Sequence, residues 1–119
     1  MKMSLVKQQI AFLLDVARLI KYGQGIGIYV TGGELFRTAE QQAIYMKTRK
    51  TTVKHSRHQD RLAIDFNFFI PTDDGLKLTW DGPKVSLLGR YWESLSKQNR
   101  WGGNWTTFRD APHFERLPK

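Results

Sequence analysis

Between Leu62 and Ile70 the chain alternates: Ile64, Phe66 and Phe68 fall on one side of an extended backbone, and Ala63, Asp65 and Asn67 on the other. A strand with this pattern must bury its aromatic side, so the Asp65 carboxylate is aimed away from the core, toward a cleft. His58 stands seven positions before Asp65. It falls in a polar run from Ser56 that reads as a loop entering the strand, long enough to fold an imidazole back beside the carboxylate. His55 and His58, three apart, would make a ligand pair only if that run were helical. A second short strand is expected around Phe114, whose ring points to the core while His113 and Glu115 share the opposite face. Pro112 biases Ala111 toward extended geometry and removes one backbone donor.

Two imidazoles and a carboxylate from separated segments form a set of three nitrogen and oxygen ligands with one position open. That is the pattern of a catalytic zinc, whereas a structural zinc is normally closed by four protein ligands, usually including Cys. The chain has no Cys, which also excludes disulfides and thiolate chemistry. Zinc acidifies water and polarises a carbonyl oxygen, but a nearby carboxylate must still take the proton during attack. Asp110, three residues before His113, is the candidate base. A lone histidine in a basic domain is more often an ordinary hydrogen-bonding residue, so the reading rests on the combination.

The combination Ser56-x-His58, Ala63-x-Asp65 and Asp110-x-x-His113 resembles the zinc D,D-peptidase and L-alanyl-D-glutamate endopeptidase family, peptidase family M15, and in particular its phage endolysin branch. Phe36-Arg37-Thr38-x-x-Gln41 and Trp101-Gly102-Gly103-x-Trp105 extend the likeness over most of the chain. The resemblance implies a zinc D,D-peptidase (hedgehog-like) fold, Zn2+ held by His58, Asp65 and His113, and Asp110 as the general base. It also implies that Arg37 binds substrate or the transition state. A guanidinium suits that role, since it cannot deprotonate and can steady an oxyanion. Two positions depart from the pattern: Arg61 stands where many members carry Gly, and Asp110 where many use Glu, the shorter base being similar to the endolysin branch.

A length of 119 residues fits one catalytic domain, 1–119, without a separate wall-binding domain. No stretch approaches the ~20 apolar residues of a membrane span. No secretory signal is visible at the N-terminus, so the expectation is a monomer made in the bacterial host cytoplasm and acting on the cell wall after release, as in phage lysis. A net charge of +8, from 19 basic and 11 acidic residues, favours polyanions, either nucleic acid or anionic envelope polymers. Lys47, Arg49, Lys50 and Lys54 form the densest basic cluster, with His55 and Arg57 beside it.

Three helices are expected. The first runs from about Leu5 to Tyr22, with Ser4 as N-cap, Gly23 as C-cap, and one buried stripe of Leu5, Gln9, Phe12, Leu13, Val16, Leu19 and Ile20. The second opens on the capping pair Thr38 and Gln41. The third starts near Pro83 and buries Val85, Leu88, Trp92 and Leu95. Gly25 to Thr31 reads as a strand, and its glycines precede the apolar positions, so they do not form a nucleotide loop. Pro71 to Gly75 reads as a turn, with Leu76 to Trp80 as hairpin partner. Ser56 either hydrogen-bonds substrate or shapes its loop, and Trp101 and Trp105 either line the cleft or pack in the core. Phe108 is expected to pack.

Together these imply an α+β fold: a small antiparallel sheet carrying Asp65 and His113, packed by about three helices. The expected activity is zinc-dependent hydrolysis of a peptidoglycan stem-peptide amide, with resemblance favouring the L-alanyl-D-glutamate bond. A D,D-carboxypeptidase or dipeptidase would use the same centre. Outside hydrolysis, the ligand set could be a non-haem iron triad, and the basic surface could mark a non-catalytic wall- or nucleic-acid-binding module.

Overall fold

The computed structural model describes residues 3–51, 53 and 55–118, so Lys54 of the basic cluster lies outside the described residues. Ser4 caps the first helix, α1 (Leu5–Ile26), by accepting the Lys7 amide. The helix runs past its expected end. Gly23 is buried inside it, and the cap is Gly27, whose φ of 80° is left-handed. Tyr22 and Ile26 still pack against the core, so ending at Gly23 would have lost buried apolar surface. The strand expected from Gly25 therefore starts only at β1 (Tyr29–Gly32).

Thr38 accepts the Gln41 amide and opens α2 (Ala39–Lys47). The polar run before the Asp65 strand is a single 3-10 turn, Arg57–Asp60, and not the irregular loop expected. Ser56 and Gln59 form a capping box around it. Strand β2 (Ala63–Thr72) keeps Pro71 and Thr72, which had read as turn, and reverses at Asp73-Asp74 into β3 (Gly75–Thr79). Pro83 starts α3 (Pro83–Leu95), followed by β4 (Asn99–Trp101) and β5 (His113–Arg116).

The sheet is antiparallel, in the order β1-β2-β5-β4, with β3 also paired to β2. Phe66, Phe68 and Phe114 face α1 and α3, which contribute Phe12, Val16, Leu19, Val85, Leu88 and Trp92 to the same core. Trp92 sits at its centre, 5.6 Å from Phe12 and 5.9 Å from Phe114 between ring centroids. Its indole N–H donates to the carbonyls of Arg100 and Glu115, tying α3 to both β4 and β5. Trp101 also belongs to the core, its N–H donating to the Ala111 carbonyl at 2.8 Å. Two expectations fail at the surface. Phe108 is exposed, on a backbone with φ of 52° that directs it outward. The stripe assigned to α1 splits in two: Phe12, Val16 and Leu19 are buried, whereas Leu5, Leu13 and Ile20 face solvent.

Arg61 closes the 3-10 turn in a left-handed conformation, φ 55°, which glycine adopts without steric cost. A side chain in that conformation costs roughly 1–2 kcal/mol. Arg61 offsets part of this by laying its guanidinium over the Phe36 ring, 4.1 Å from the centroid, a contact worth about 0.5–1 kcal/mol at an exposed site. Arg61→Ala keeps the strain and loses the stacking, so urea unfolding should show it about 0.5–1 kcal/mol less stable than the parent. Arg61→Gly should be about 1 kcal/mol more stable than Arg61→Ala.

Candidate metal centre

Three elements each bring one ligand atom to the sheet face opposite the core. The 3-10 turn presents His58: the Ser56 hydroxyl accepts the His58 amide at 3.2 Å, and the Gln59 side chain accepts the Ser56 amide at 2.9 Å. Strand β2 presents Asp65, whose amide donates to Glu34 and whose carbonyl accepts from Gly33, at 2.9 and 2.8 Å. On β5, His113 stands directly opposite Asp65 in register, while Phe114 faces the core as expected. The outcome is His58 Nε2 at 3.3 Å and His113 Nδ1 at 3.2 Å from the same oxygen, Asp65 Oδ1. The three ligand atoms lie within 4.8 Å of one another.

Hydrogen bonds fix which nitrogen of each ring faces inward. His58 Nδ1–H donates to the Leu35 carbonyl at 3.1 Å, leaving Nε2 toward Asp65, buried and without a hydrogen-bond partner among the described residues. His113 Nε2–H donates to Glu115 Oε1 at 2.7 Å, leaving Nδ1 toward Asp65. Donors held this way are what a divalent cation requires, and the outer partners are the usual means of orienting ligating imidazoles. An orphaned buried nitrogen beside a carboxylate is costly unless a cation joins them. The donor set therefore fits a metal ion.

The charges agree with this. Burial pushes the Asp65 carboxyl upward, but the hydrogen bond from His113 and the closeness of both imidazoles outweigh it and hold the group well below the usual carboxylate range. Burial would lower His113, yet its bonds to Asp65 and Glu115 raise it to about 9. Asp110 is pushed above its ordinary value, first by burial and then by the Asp65 charge. Its Oδ2 is 4.0 Å from His113 Nδ1, beside the three-ligand group but not one of its members.

The remaining residues of interest line one cleft of about 680 Å³ with the ligands. Arg37 donates from Nε to Glu34 at 2.8 Å and from NH1 to Gln42 at 2.8 Å, with its guanidinium over the Tyr45 ring. Trp105 leans on His113, ring centroids 5.0 Å apart. The Ser56 hydroxyl caps the turn and borders the cleft. His55 stays outside the metal group and bonds Asp60 at 2.8 Å. Sequence reasoning missed Glu34, which holds Arg37, and assigned no role to Glu115. The alternation that put Glu115 on the face of His113 was the available signal for it; Glu34 left none. Gly102 was also missed as a site residue: a Cβ there would lie 2.2 Å from the Asp110 carbonyl oxygen, so only glycine lets the Asp110 turn close.

A family model described as D-alanyl-D-alanine carboxypeptidase, of the M15 peptidases, matches residues 49–116, more than half of the chain. The chain belongs to the M15 metallopeptidase family. Among solved structures, the L-Ala D-Glu endopeptidase ChiX of Serratia marcescens shares its fold with a TM-score of 0.66 and 20% identity, over 87% of this chain and 78% of that one. The matched span of this M15 peptidase contains His58, Asp65, His113 and the Asp110 turn.

In the metal-free M15 domain, a His113 pKa raised to about 9 leaves a proton that a metal must displace from Nδ1. Apparent metal affinity should therefore climb about tenfold per pH unit from neutrality toward that value and then flatten. Competition with a chromophoric chelator measures this, and an affinity independent of pH over that range would contradict it.

Proposed function

We propose that this M15 domain is a zinc-dependent peptidoglycan peptidase that hydrolyses a stem-peptide amide, the L-alanyl-D-glutamate bond first among the candidates, in the manner of a phage endolysin. The observation that carries the reading is the convergence of His58 Nε2, His113 Nδ1 and Asp65 Oδ1 beside a fourth group, Asp110, left outside the ligand set. The fold shared with an L-Ala D-Glu endopeptidase supports the choice of bond.

His58, Asp65 and His113 would hold the ion, which when bound supplies Lewis acidity and lowers the pKa of water to about 7. Asp110 then takes the proton of the attacking water and returns one to the leaving amine. Its raised pKa suits this exchange, since a carboxylate nearer neutrality is a better base and a readier donor. Arg37 carries its charge on a guanidinium fixed by Glu34 and Gln42, so it can steady the developing oxyanion without reorganising. Trp105 walls the cleft over His113, and Ser56 keeps a hydroxyl proton to donate to substrate. Lys50 and Arg57 put positive charge along the same cleft, matching the carboxylates of stem peptides. The net charge of +8 would hold the protein to anionic envelope polymers.

Digestion of purified peptidoglycan by the zinc-loaded chain, a chelated sample and Asp110→Ala, with mass spectrometry of the products, tests the proposal. We expect new D-glutamate amino termini from the loaded chain only. Asp110→Ala should keep its metal and lose about 10²–10⁴-fold in rate. Release of D-alanine instead would make the chain a carboxypeptidase, and binding of peptidoglycan without cleavage would reject the enzymatic reading of the cleft.

A further inference from the structure

Helix α1 buries Phe12, Asp15, Val16 and Leu19 on one side. Its other side is apolar too. Val6, Ile10, Leu13, Ala17 and Ile20 follow one another at alternating steps of four and three residues, with Leu14 beside them, and all are exposed. Val6 keeps 63% of its surface in solvent and Leu13 57%. A continuous outward stripe of this kind is unusual on a solvated domain and marks a contact surface. The charges beside it have one sign: Lys7, Arg18 and Lys21 are exposed, whereas the one carboxylate of the helix, Asp15, is 6% exposed and bonded to Arg18 and Asn99.

We propose that α1 docks the domain onto an anionic lipid surface, its outward stripe entering the headgroup boundary while Lys7, Arg18 and Lys21 meet the lipid phosphates. Large apolar side chains on one face, cations at its flank and no exposed acid are the composition of a helix that lies in a membrane interface. No described helix is long and apolar enough to cross a membrane, so the contact is peripheral. A second copy is a poorer occupant. Pairing α1 with α1 would bring the three cations of one helix toward those of the other, with no exposed carboxylate on either helix to balance them. The +8 charge of the whole chain opposes self-association and favours the lipid. This surface is independent of the metal cleft and holds whatever bond the cleft cuts.

Co-sedimentation with vesicles tests it, using equal parts phosphatidylglycerol and phosphatidylethanolamine against phosphatidylcholine alone. The chain should partition onto the anionic vesicles and not the neutral ones. Ile10→Gln/Leu13→Gln, which leaves every charge and every core contact in place, should lower the partition coefficient at least tenfold, with unchanged circular dichroism. Lys7→Gln/Lys21→Gln should weaken it severalfold. Equal partitioning of the Ile10→Gln/Leu13→Gln variant would overturn the proposal, because charge alone would then account for binding. So would an absence of binding to anionic vesicles, or a dimer in sedimentation equilibrium that the same variant dissociates.

Discussion

The antiparallel pairing of Asp65 with His113 is the contact on which the rest depends. Ladder pairing fixes the two side chains on one face at a separation set by the backbone, so no loop has to find the geometry. The same ladder sends Ile64, Phe66 and Phe114 to the other face, where Trp92 and α1 cover them. Core packing and ligand placement are therefore one constraint viewed from two sides. A register slip of one residue would bury the Asp65 carboxylate and expose the Phe66 ring.

Around that pair the chain concentrates carboxylates in an otherwise basic molecule. Glu34, Asp65, Asp110 and Glu115 all border the cleft, and each does something different. Asp65 faces both imidazoles, Glu115 orients one of them, Glu34 pins Arg37, and Asp110 stays free of the ligand group. Their environments separate them: the His113 bond and the two adjacent imidazoles hold Asp65 ionised, while burial and the nearby Asp65 charge raise Asp110. Such separation of neighbouring carboxyls is how one site supplies both a metal ligand and a proton acceptor.

Much of this was legible in the sequence because it is written in a period of two. Alternation in β2 and β5 located the core, the aim of Asp65 and the face that His113 shares with Glu115, though not the hydrogen bond between them. Features with no period were harder to read. The 3-10 turn that presents His58 was taken for a loop although Ser56 and Gln59 spell its capping box. Glu34 reaches the site through a backbone contact across the sheet, which leaves no local signal. In α1, three glycines near the end offered competing stops, and packing of Ile26 decided among them. Its apolar residues cover most of the circumference, so one amphipathic stripe could not be told from two opposed ones until burial separated them.

The central claim is that the chain pre-positions three donor atoms for one metal ion. The most direct measurement is a crystal structure of the zinc-loaded chain with anomalous data collected at the zinc edge. The account predicts a single ion bound by His58 Nε2, a carboxylate oxygen of Asp65 and His113 Nδ1, with Glu115 still on His113 Nε2 and Asp110 outside the ligand set. An ion bound through His113 Nε2, an ion that recruits Asp110 as a ligand in place of Asp65, or no ion at this cleft would contradict it.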